Sequence, residues 1–182
     1  MARSLSPASA IAFALLAAAG TSAGCAPADA PSGPAVTFNP CAPVTLAPDA
    51  TAGTAELAGI AAAAALWNQN AGSVLAMAAS AADGGVSPVL PIHFQTAAAP
   101  IHGLYDAPDG EVFINNDLSG PELAITIAHE IGHSFGLVHI SPDVRASLMN
   151  PGNLSVSITP ADVATLTDIW GRCGSLDAAT TE

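Results

Sequence analysis

The stretch at 129–139 reads HEIGHSFGLVH, and its spacing constrains the fold more than any other part of the chain. Residues four apart lie on one face of a helix, so the side chains of His129 and His133 point the same way. Gly136 lets the chain leave the helix through a backbone conformation that is unfavourable for other residues. This exit can return His139 to the same point, so the stretch predicts three imidazoles around one position.

Three imidazoles suit a catalytic zinc ion, because the fourth coordination position stays open for water. Glu130 lies one step round the helix, too far to be a third ligand, but placed to take a proton from zinc-bound water. A core helix that carries histidines by chance would explain neither Glu130, nor Gly136, nor the Met149 that follows ten residues after His139. We therefore expect one zinc ion held by His129, His133 and His139, with Glu130 as the catalytic residue.

The extended motif, followed by a methionine turn, resembles that of the metzincin metallopeptidases. Within the metzincins, the sequence is most similar to a matrixin catalytic domain. The resemblance rests on 129–139, on the turn at 148–151, and on 158–171, where ITPAD leads into a helix ending in IWG. Two departures are Ile140, where a matrixin usually has serine, and a span to Met149 that is about two residues longer than usual.

The resemblance implies an α+β, zincin/metzincin-like fold, with a small twisted mixed β-sheet, an N-terminal helix, an active-site helix and a C-terminal helix. Met149 would pack beneath the ligands, and 151–158 would form the wall of the pocket for the side chain after the scissile bond. An edge strand would take up the extended peptide substrate by strand addition. We assign that role to Ile101, His102, Gly103, Leu104 and Tyr105.

The function implied is a zinc-dependent endopeptidase that hydrolyses peptide bonds by a Glu-assisted zinc-bound water. Two other functions stay open, a non-catalytic zinc-holding surface module and a zinc hydrolase of a non-peptide amide or ester. The intact Glu130 and the open coordination position favour an enzyme over the module. The sequence does not separate a peptidase from another hydrolase.

Other metal ligands are less clear. Matrixins carry a second, structural zinc near the position of His93 and His102, but the cluster of histidines and aspartate that it needs is not evident, so we interpret both as non-ligands. Calcium stays open as an additional cofactor, because several oxygen-bearing side chains lie around one turn, although turn acids are more often only solvated. These are Asp106, Asp109, Glu111, Asn115 and Asp117.

The N-terminal part reads as a secretory leader. Residues 1–24 combine Arg3 with a short apolar run and small residues, as in a signal peptide. The sequence SAGC ending at Cys25 resembles a bacterial lipoprotein box, so we expect a lipid on Cys25. The alternative is ordinary signal-peptide cleavage near the same place. Residues 25–38 then form a flexible tether. The chain would be secreted or held at the cell envelope, with a membrane contact only through the lipid.

The catalytic domain is predicted at 39–176 and a disordered tail at 177–182. Cys41 and Cys173 flank this domain, and an oxidising compartment favours a disulfide between them. The rival interpretation is a latency switch in which the Cys41 thiolate caps the zinc, as in matrixin propeptides. That would leave Cys173 unpaired.

The charge balance narrows the partners. The chain has 3 Lys+Arg against 15 Asp+Glu, and a formal net charge of −12. This composition argues against nucleic-acid binding and against anionic membrane surfaces. We expect a peptide or protein substrate and a monomer.

Hydrophobic periodicity and turn signals predict the remaining elements. The predicted strands are 44–46, 91–94, 101–105 and 111–115, with a turn at 83–85. Three helices are predicted. The first runs from Thr54 to about Gln69, the second begins at a capping box at 119–122, and the third begins at a cap at 159–162. Their predicted buried faces are Leu57, Ile60, Ala64 and Trp67; Leu123, Ile127, Ile131 and Phe135; and Val163, Leu166, Ile169 and Trp170.

Overall fold

The computed structural model describes residues 35–78 and 87–174. The elements are β1 (Pro43–Pro48), α1 (Thr54–Ala71), β2 (Val74–Met77), β3 (Val89–Gln95), β4 (Gly103–Asp106), β5 (Glu111–Asn115), α2 (Gly120–Ser134) and α3 (Pro160–Trp170). The strands form one sheet in the order β2-β1-β3-β5-β4. β4 pairs antiparallel with β5, and the three other pairs are parallel. The predicted α+β architecture with a mixed sheet is confirmed.

Helices α1 and α2 pack closely against each other because a glycine lies at their contact. A Cβ added at Gly59 would come within 2.9 Å of the Leu123 side chain. Further along α1, the Trp67 indole donates a hydrogen bond to the Ala128 carbonyl at 2.9 Å and meets the Phe135 ring edge-on at 5.4 Å. This contact fixes α2, which carries the histidines, against the core.

Two strand predictions need correction. β2 was not predicted, and it pairs with β1 at the edge of the sheet away from β4. The edge strand predicted at 101–105 is found, but it begins at Gly103 and ends at Asp106. Ile101 and His102 lie before the strand and are held by Asn115. The side-chain amide of Asn115 donates a hydrogen bond to the Ile101 carbonyl, and the Asn115 backbone N–H donates to the His102 carbonyl.

The helix predictions are right in place and wrong in some details. Ser119 is the N-cap of α2, but its side chain makes no capping hydrogen bond, so the predicted capping box is wrong there. The box at Thr159 and Asp162 is confirmed. Ile169 is 48% exposed and does not pack inward as predicted, and Leu57 is only half-buried.

The ends of the domain are joined. Cys41 and Cys173 form a disulfide, as predicted. The predicted tether extends too far, because Val36 donates its N–H to the Ala107 carbonyl at 2.7 Å and Phe38 is buried in the core. The predicted signal peptide at 1–24, Cys25, the turn at 83–85 and the tail at 177–182 lie outside the described residues. Within the described residues, no helix is long and apolar enough to cross a membrane.

Candidate metal centre

The predicted ligands lie on and just after α2, whose burial fixes their position. The apolar side of the helix is fully enclosed, with Leu123, Ile127, Ile131 and Phe135 each no more than 1% exposed. Burying side chains of this size contributes roughly 1.5–3 kcal/mol each. The helix that carries the histidines is therefore held in place by packing.

The three histidine rings converge at their Nε2 atoms. The Nε2 of His139 lies 3.1 Å from the Nε2 of His129 and 3.1 Å from that of His133. Among the described residues, these histidines form the only group of three or more His, Cys, Asp or Glu side chains that could hold a metal ion. His129 is buried and His139 is exposed, so the centre opens to solvent on one side.

The other ring nitrogens set the tautomers of the two helical histidines. Nδ1 of His129 lies 2.7 Å from the Leu148 carbonyl, and Nδ1 of His133 lies 2.8 Å from the Leu137 carbonyl. A carbonyl only accepts, so each Nδ1 must carry the proton and each Nε2 presents a lone pair. Both Nε2 atoms are therefore prepared as ligands.

Burial keeps these imidazoles neutral. The pKa of His129 is lowered to about 4 and that of His133 to about 3, mainly by desolvation and in part by the neighbouring histidines, against the carbonyls of Leu148 and Leu137, which raise them. Desolvation also lowers the pKa of His139. Neutral imidazole is the form that binds metal, and three nitrogen donors with an open side match a catalytic zinc site. The residues present fit a zinc ion.

The exit from α2 brings His139 back to the other two histidines. Gly136 has φ +90°, a left-handed backbone conformation that residues with a side chain rarely adopt. Its N–H donates to the His133 carbonyl at 2.9 Å, and the Leu137 N–H donates to the Gly132 carbonyl at 3.0 Å. These bonds close the end of the helix in the manner predicted from the sequence.

Glu130 is buried against the edge strand. It is 1% exposed, and a Cβ added at Gly103 would lie 2.7 Å from its Oε1 and 2.9 Å from its Cγ. Gly103 is the first residue of β4. The absence of a side chain at Gly103 makes room for the Glu130 carboxylate between α2 and the strand predicted to bind substrate.

Met149 lies against α2 next to the ligands. It is 1% exposed, and its Sδ would be 2.6 Å from a Cβ at Gly132, the residue before His133. Its carbonyl accepts a hydrogen bond from the N–H of Ile140 at 3.0 Å, which ties the turn to the residue after His139. Met149 therefore packs on α2 beside His133, and its role as a floor beneath the ligands stays a prediction.

Asp162, at the start of α3, organises the methionine turn. Its carboxylate accepts a short hydrogen bond from the Ser147 hydroxyl, and one from the Leu148 N–H at 3.0 Å. It also accepts from the N–H and the hydroxyl of Thr159, both at 2.9 Å. Burial alone would raise the pKa of Asp162, but these bonds outweigh it and hold the pKa below its usual value. Through Leu148, whose carbonyl bonds to His129, the turn supports a predicted ligand.

Tyr105, the last residue of the predicted substrate strand, has a structural partner. Its hydroxyl donates to the Val36 carbonyl at 2.6 Å. Burial, with the negative charge of Asp106 as a second cause, raises the pKa of Tyr105 to about 12. The phenol therefore stays protonated and attaches the segment at 36–38 to β4.

The other predicted metal-related side chains have varied surroundings. Nδ1 of His93 lies 2.9 Å from an Asp49 oxygen, and Nε2 lies 3.5 Å from a Glu111 oxygen. The side-chain oxygen of Asn115 accepts from the N–H of Asp117 at 3.2 Å. His102 precedes β4 and is half-buried. Calcium binding stays a prediction.

Sequence reasoning did not identify Gly132 or Asn153, and it named Gly103 only as part of the substrate strand, without its contact to Glu130. An isolated glycine inside a strand or helix is a signal for close backbone approach, and it would have pointed to Gly103 and Gly132. Asp162 was recognised only as a cap residue. No local pattern marks Asn153, because its partners depend on how the turn folds.

Comparisons with known proteins agree with this geometry. The sequence model of the metallo-peptidase family M12B, reprolysin-like, matches residues 35–169. No curated protein matches the chain. A solved structure described as "Structure of Myroilysin" matches with a TM-score of 0.54 and 12% identity, covering 75% of this chain and 83% of that one. At this identity the similarity supports the fold alone.

The family match and the shared architecture confirm the zincin/metzincin-like fold, and the family match supports a metallopeptidase. The histidine triad supports a zinc ion. The matrixin subfamily stays a prediction. Because the family model matches well over half of the sequence, the chain belongs to the reprolysin-like metallopeptidases of family M12B.

Proposed function

We propose that this protein is a zinc-dependent endopeptidase in which Glu130 is the general base. The observation that carries the proposal is the position of the Glu130 carboxylate, buried beside the triad-bearing face of α2 and in contact with Gly103 on β4. A peptide added along β4 would place its backbone next to this carboxylate. A module that only holds zinc has no need of a buried acid at that point.

The chain's residues divide the reaction between them. His129, His133 and His139 would hold the zinc through Nε2, with Nδ1 of the first two occupied by carbonyls. A bound zinc ion lowers the pKa of water to near 7 and polarises a carbonyl. Glu130 would accept the proton of the attacking water and return it to the leaving amine.

Substrate binding would use the outer edge of β4. β4 pairs on one side with β5, and it is the last strand of the sheet. An unpaired strand edge can bind an extended peptide through main-chain hydrogen bonds. The segment at 151–158 would form the wall of the pocket for the side chain after the scissile bond. The substrate is therefore a peptide or protein in extended conformation.

The test compares wild type with Glu130→Gln and His133→Ala on an unstructured protein, a peptide and small esters, with and without chelator. Glu130→Gln keeps the shape of the side chain and removes the proton acceptor, so zinc content should persist while cleavage falls about 10²–10⁴-fold. His133→Ala should lose zinc as well, because a three-ligand site cannot spare one.

The two other functions give different results in the same assay. If zinc-loaded wild type cleaves nothing that Glu130→Gln does not, the protein is a zinc-holding module. If only the esters are cleaved, it is a hydrolase of non-peptide substrates. Peptide cleavage that needs both zinc and Glu130 supports the endopeptidase.

The finer proposal is that this member of the reprolysin-like family shares matrixin-like features, of which the 158–171 segment is the support, and that it holds one zinc ion. Metal analysis of dialysed protein should give one zinc per molecule. Two tightly held zinc ions would show that His93 or His102 is a ligand after all. Calcium can be tested in the same samples.

The compartment follows in part from the disulfide. A bond between Cys41 and Cys173, together with the peptidase family, suggests a secreted protein. We propose in addition that Cys25 is lipidated. Mass spectrometry of the native protein should find a lipid on Cys25, and a mature N-terminus at another residue would exclude it.

A further inference from the structure

Asn153 holds the loop after the methionine turn in a fixed shape. Its side-chain oxygen accepts from the N–H of Ser155 at 3.1 Å and from the N–H of Val156 at 2.8 Å. Its amide nitrogen donates to the Val156 carbonyl at 2.7 Å and to the Leu148 carbonyl at 3.1 Å. One side chain thus fixes four backbone groups, three of them in the loop at 153–156.

The fourth partner, the Leu148 carbonyl, also belongs to the metal centre. It accepts from Nδ1 of His129 at 2.7 Å. The same oxygen therefore receives a hydrogen bond from a predicted zinc ligand and one from the residue that shapes the loop. Since the Leu148 N–H is bound to Asp162, both backbone polar groups of Leu148 are held, by three partners in all.

We propose that Asn153 is a positioning residue that couples the shape of the loop at 153–156 to the orientation of His129 through the Leu148 carbonyl. A shift of the loop moves this carbonyl, and with it the acceptor that sets the tautomer and the ring plane of His129. Coupling of this kind is reciprocal, so zinc binding should also order the loop. A further consequence rests on the proposed function, in which this loop is the wall of the substrate pocket. Asn153 then also determines which substrate side chain is preferred after the scissile bond.

Asn153→Asp separates the two sets of bonds. The aspartate keeps both acceptor bonds to Ser155 and Val156 but has no donor for the carbonyls of Leu148 and Val156. Partners behind a metal ligand typically contribute about 10–100-fold to metal affinity. Because Asn153 acts through a shared carbonyl, we expect zinc affinity to fall by about tenfold, the lower end of that range.

The matched control is Asn68→Asp. Asn68 also binds both backbone groups of one residue, donating to the Leu75 carbonyl at 2.9 Å and accepting from its N–H at 3.0 Å. It lies on α1 beside β2, and its partners are not connected to the triad. Loss of similar bonds and gain of the same charge should leave zinc affinity within about twofold of wild type.

Zinc affinity is measured by chelator competition on the full folded chain, and amide hydrogen exchange of 153–158 is followed with and without zinc. The proposal requires weaker zinc binding in Asn153→Asp than in Asn68→Asp, and slower exchange of 153–158 in the zinc-loaded wild type. Equal zinc affinity in the two variants, or exchange at 153–158 that is insensitive to zinc, would overturn it. Neither readout needs catalysis, so an inactive wild type would sink the proposed function and leave this test standing.

A peptide series that differs only in the residue after the scissile bond tests the consequence for substrates. The ratio of kcat/KM between large and small side chains should change in Asn153→Asp and stay constant in Asn68→Asp. An unchanged ratio in an enzyme with weakened zinc binding would restrict the role of Asn153 to His129 and reject its role in side-chain preference.

Discussion

Replacing Gly103 with alanine should disable Glu130 without removing zinc. The added Cβ would lie 2.7 Å from Oε1 and 2.9 Å from Cγ of Glu130, and 3.0 Å from Cγ2 of Thr126. Gly103 is not among the residues with positive φ, so its backbone accepts alanine without strain. The conflict is therefore between side chains only, and the carboxylate or the strand has to move.

The geometry gives the size of this effect. Ordinary contacts to a Cβ begin near 3.4 Å, so the Glu130 Cγ at 2.9 Å must retreat by roughly 0.5 Å. Overpacking of this kind costs about 1–3 kcal/mol, and the lower end applies because β4 is an edge strand that can shift. Misplacing a catalytic group by about 1 Å can cost 10²-fold in rate, so we expect kcat to fall about 10–100-fold.

The assay measures kcat, KM, zinc content and the free energy of unfolding for Gly103→Ala, with Gly53→Ala as the control. A Cβ at Gly53 would meet only Glu56 Oε2, at an ordinary 3.6 Å. If Gly103→Ala retains zinc, unfolds like the control and keeps kcat within about twofold of wild type, the contact does not position the base. A change confined to KM would also refute the reasoning, since it would mean that the methyl group only obstructs the peptide.

Three further outcomes are expected. Gly132→Ala should weaken zinc binding and lower the free energy of unfolding by about 1–3 kcal/mol, because the added Cβ would lie 2.6 Å from Sδ of Met149. Unchanged zinc affinity would show that the contact between Gly132 and Met149 does not support the metal centre. Joint replacement of Cys41 and Cys173 by alanine should lower the free energy of unfolding, measured in denaturant, by up to about 5 kcal/mol, because the disulfide joins residues that are 132 positions apart. A loss below about 1 kcal/mol would contradict this prediction. The free energy of unfolding of the metal-free protein should fall as the pH drops below 6.5, because His129 is protonated in the unfolded chain but stays neutral in the folded one, where its pKa is about 4. Between pH 7 and pH 5 this residue alone should lower the free energy of unfolding by about 2 kcal/mol. A smaller pH dependence of stability in the wild type than in a variant without the His129 imidazole would contradict this prediction.

The parts of the fold that the sequence predicts are those with a strong local signal. β5 has the predicted bounds, because EVFIN follows a clear turn and is rich in β-branched and aromatic residues. α1 begins at Thr54 as predicted and ends at Ala71, two residues later than expected. These elements would be recognised in isolation, since periodicity and turn residues agree with the final structure.

The errors occur where tertiary contacts decide. β2 is only four residues, VLAM, and it is a strand because β1 offers a partner, as the Val44–Leu75 register shows. Ile169 fits the helical period of α3, but Trp170 takes the packing position and donates from its indole to the Phe135 carbonyl at 2.7 Å. Neither outcome is visible in a local window of sequence.

The candidate site divides in the same way. The ligands and Glu130 follow from a motif whose spacing has a direct geometric meaning on a helix. The support around them comes from the segment at 140–158, where only the methionine turn has a sequence signal and the remaining shape depends on side chains that bond to backbone groups. Asp162 is the clearest case, because its role in capping α3 is local and its bonds to Ser147 and Leu148 are not.

These bonds also show how the fold itself contributes to the position of a ligand. Asp162 binds the N–H of Leu148 and the carbonyl of the same residue bonds to His129, while the Asp162 carboxylate also caps α3. The start of α3 and the ligand helix are therefore joined through a single turn, and the ring of His129 is oriented by the fold itself. A preformed set of neutral donors leaves more of the zinc-binding free energy for affinity, because little of it is spent on ordering the ligands. It follows that substitutions in the turn should affect zinc affinity before they affect the fold.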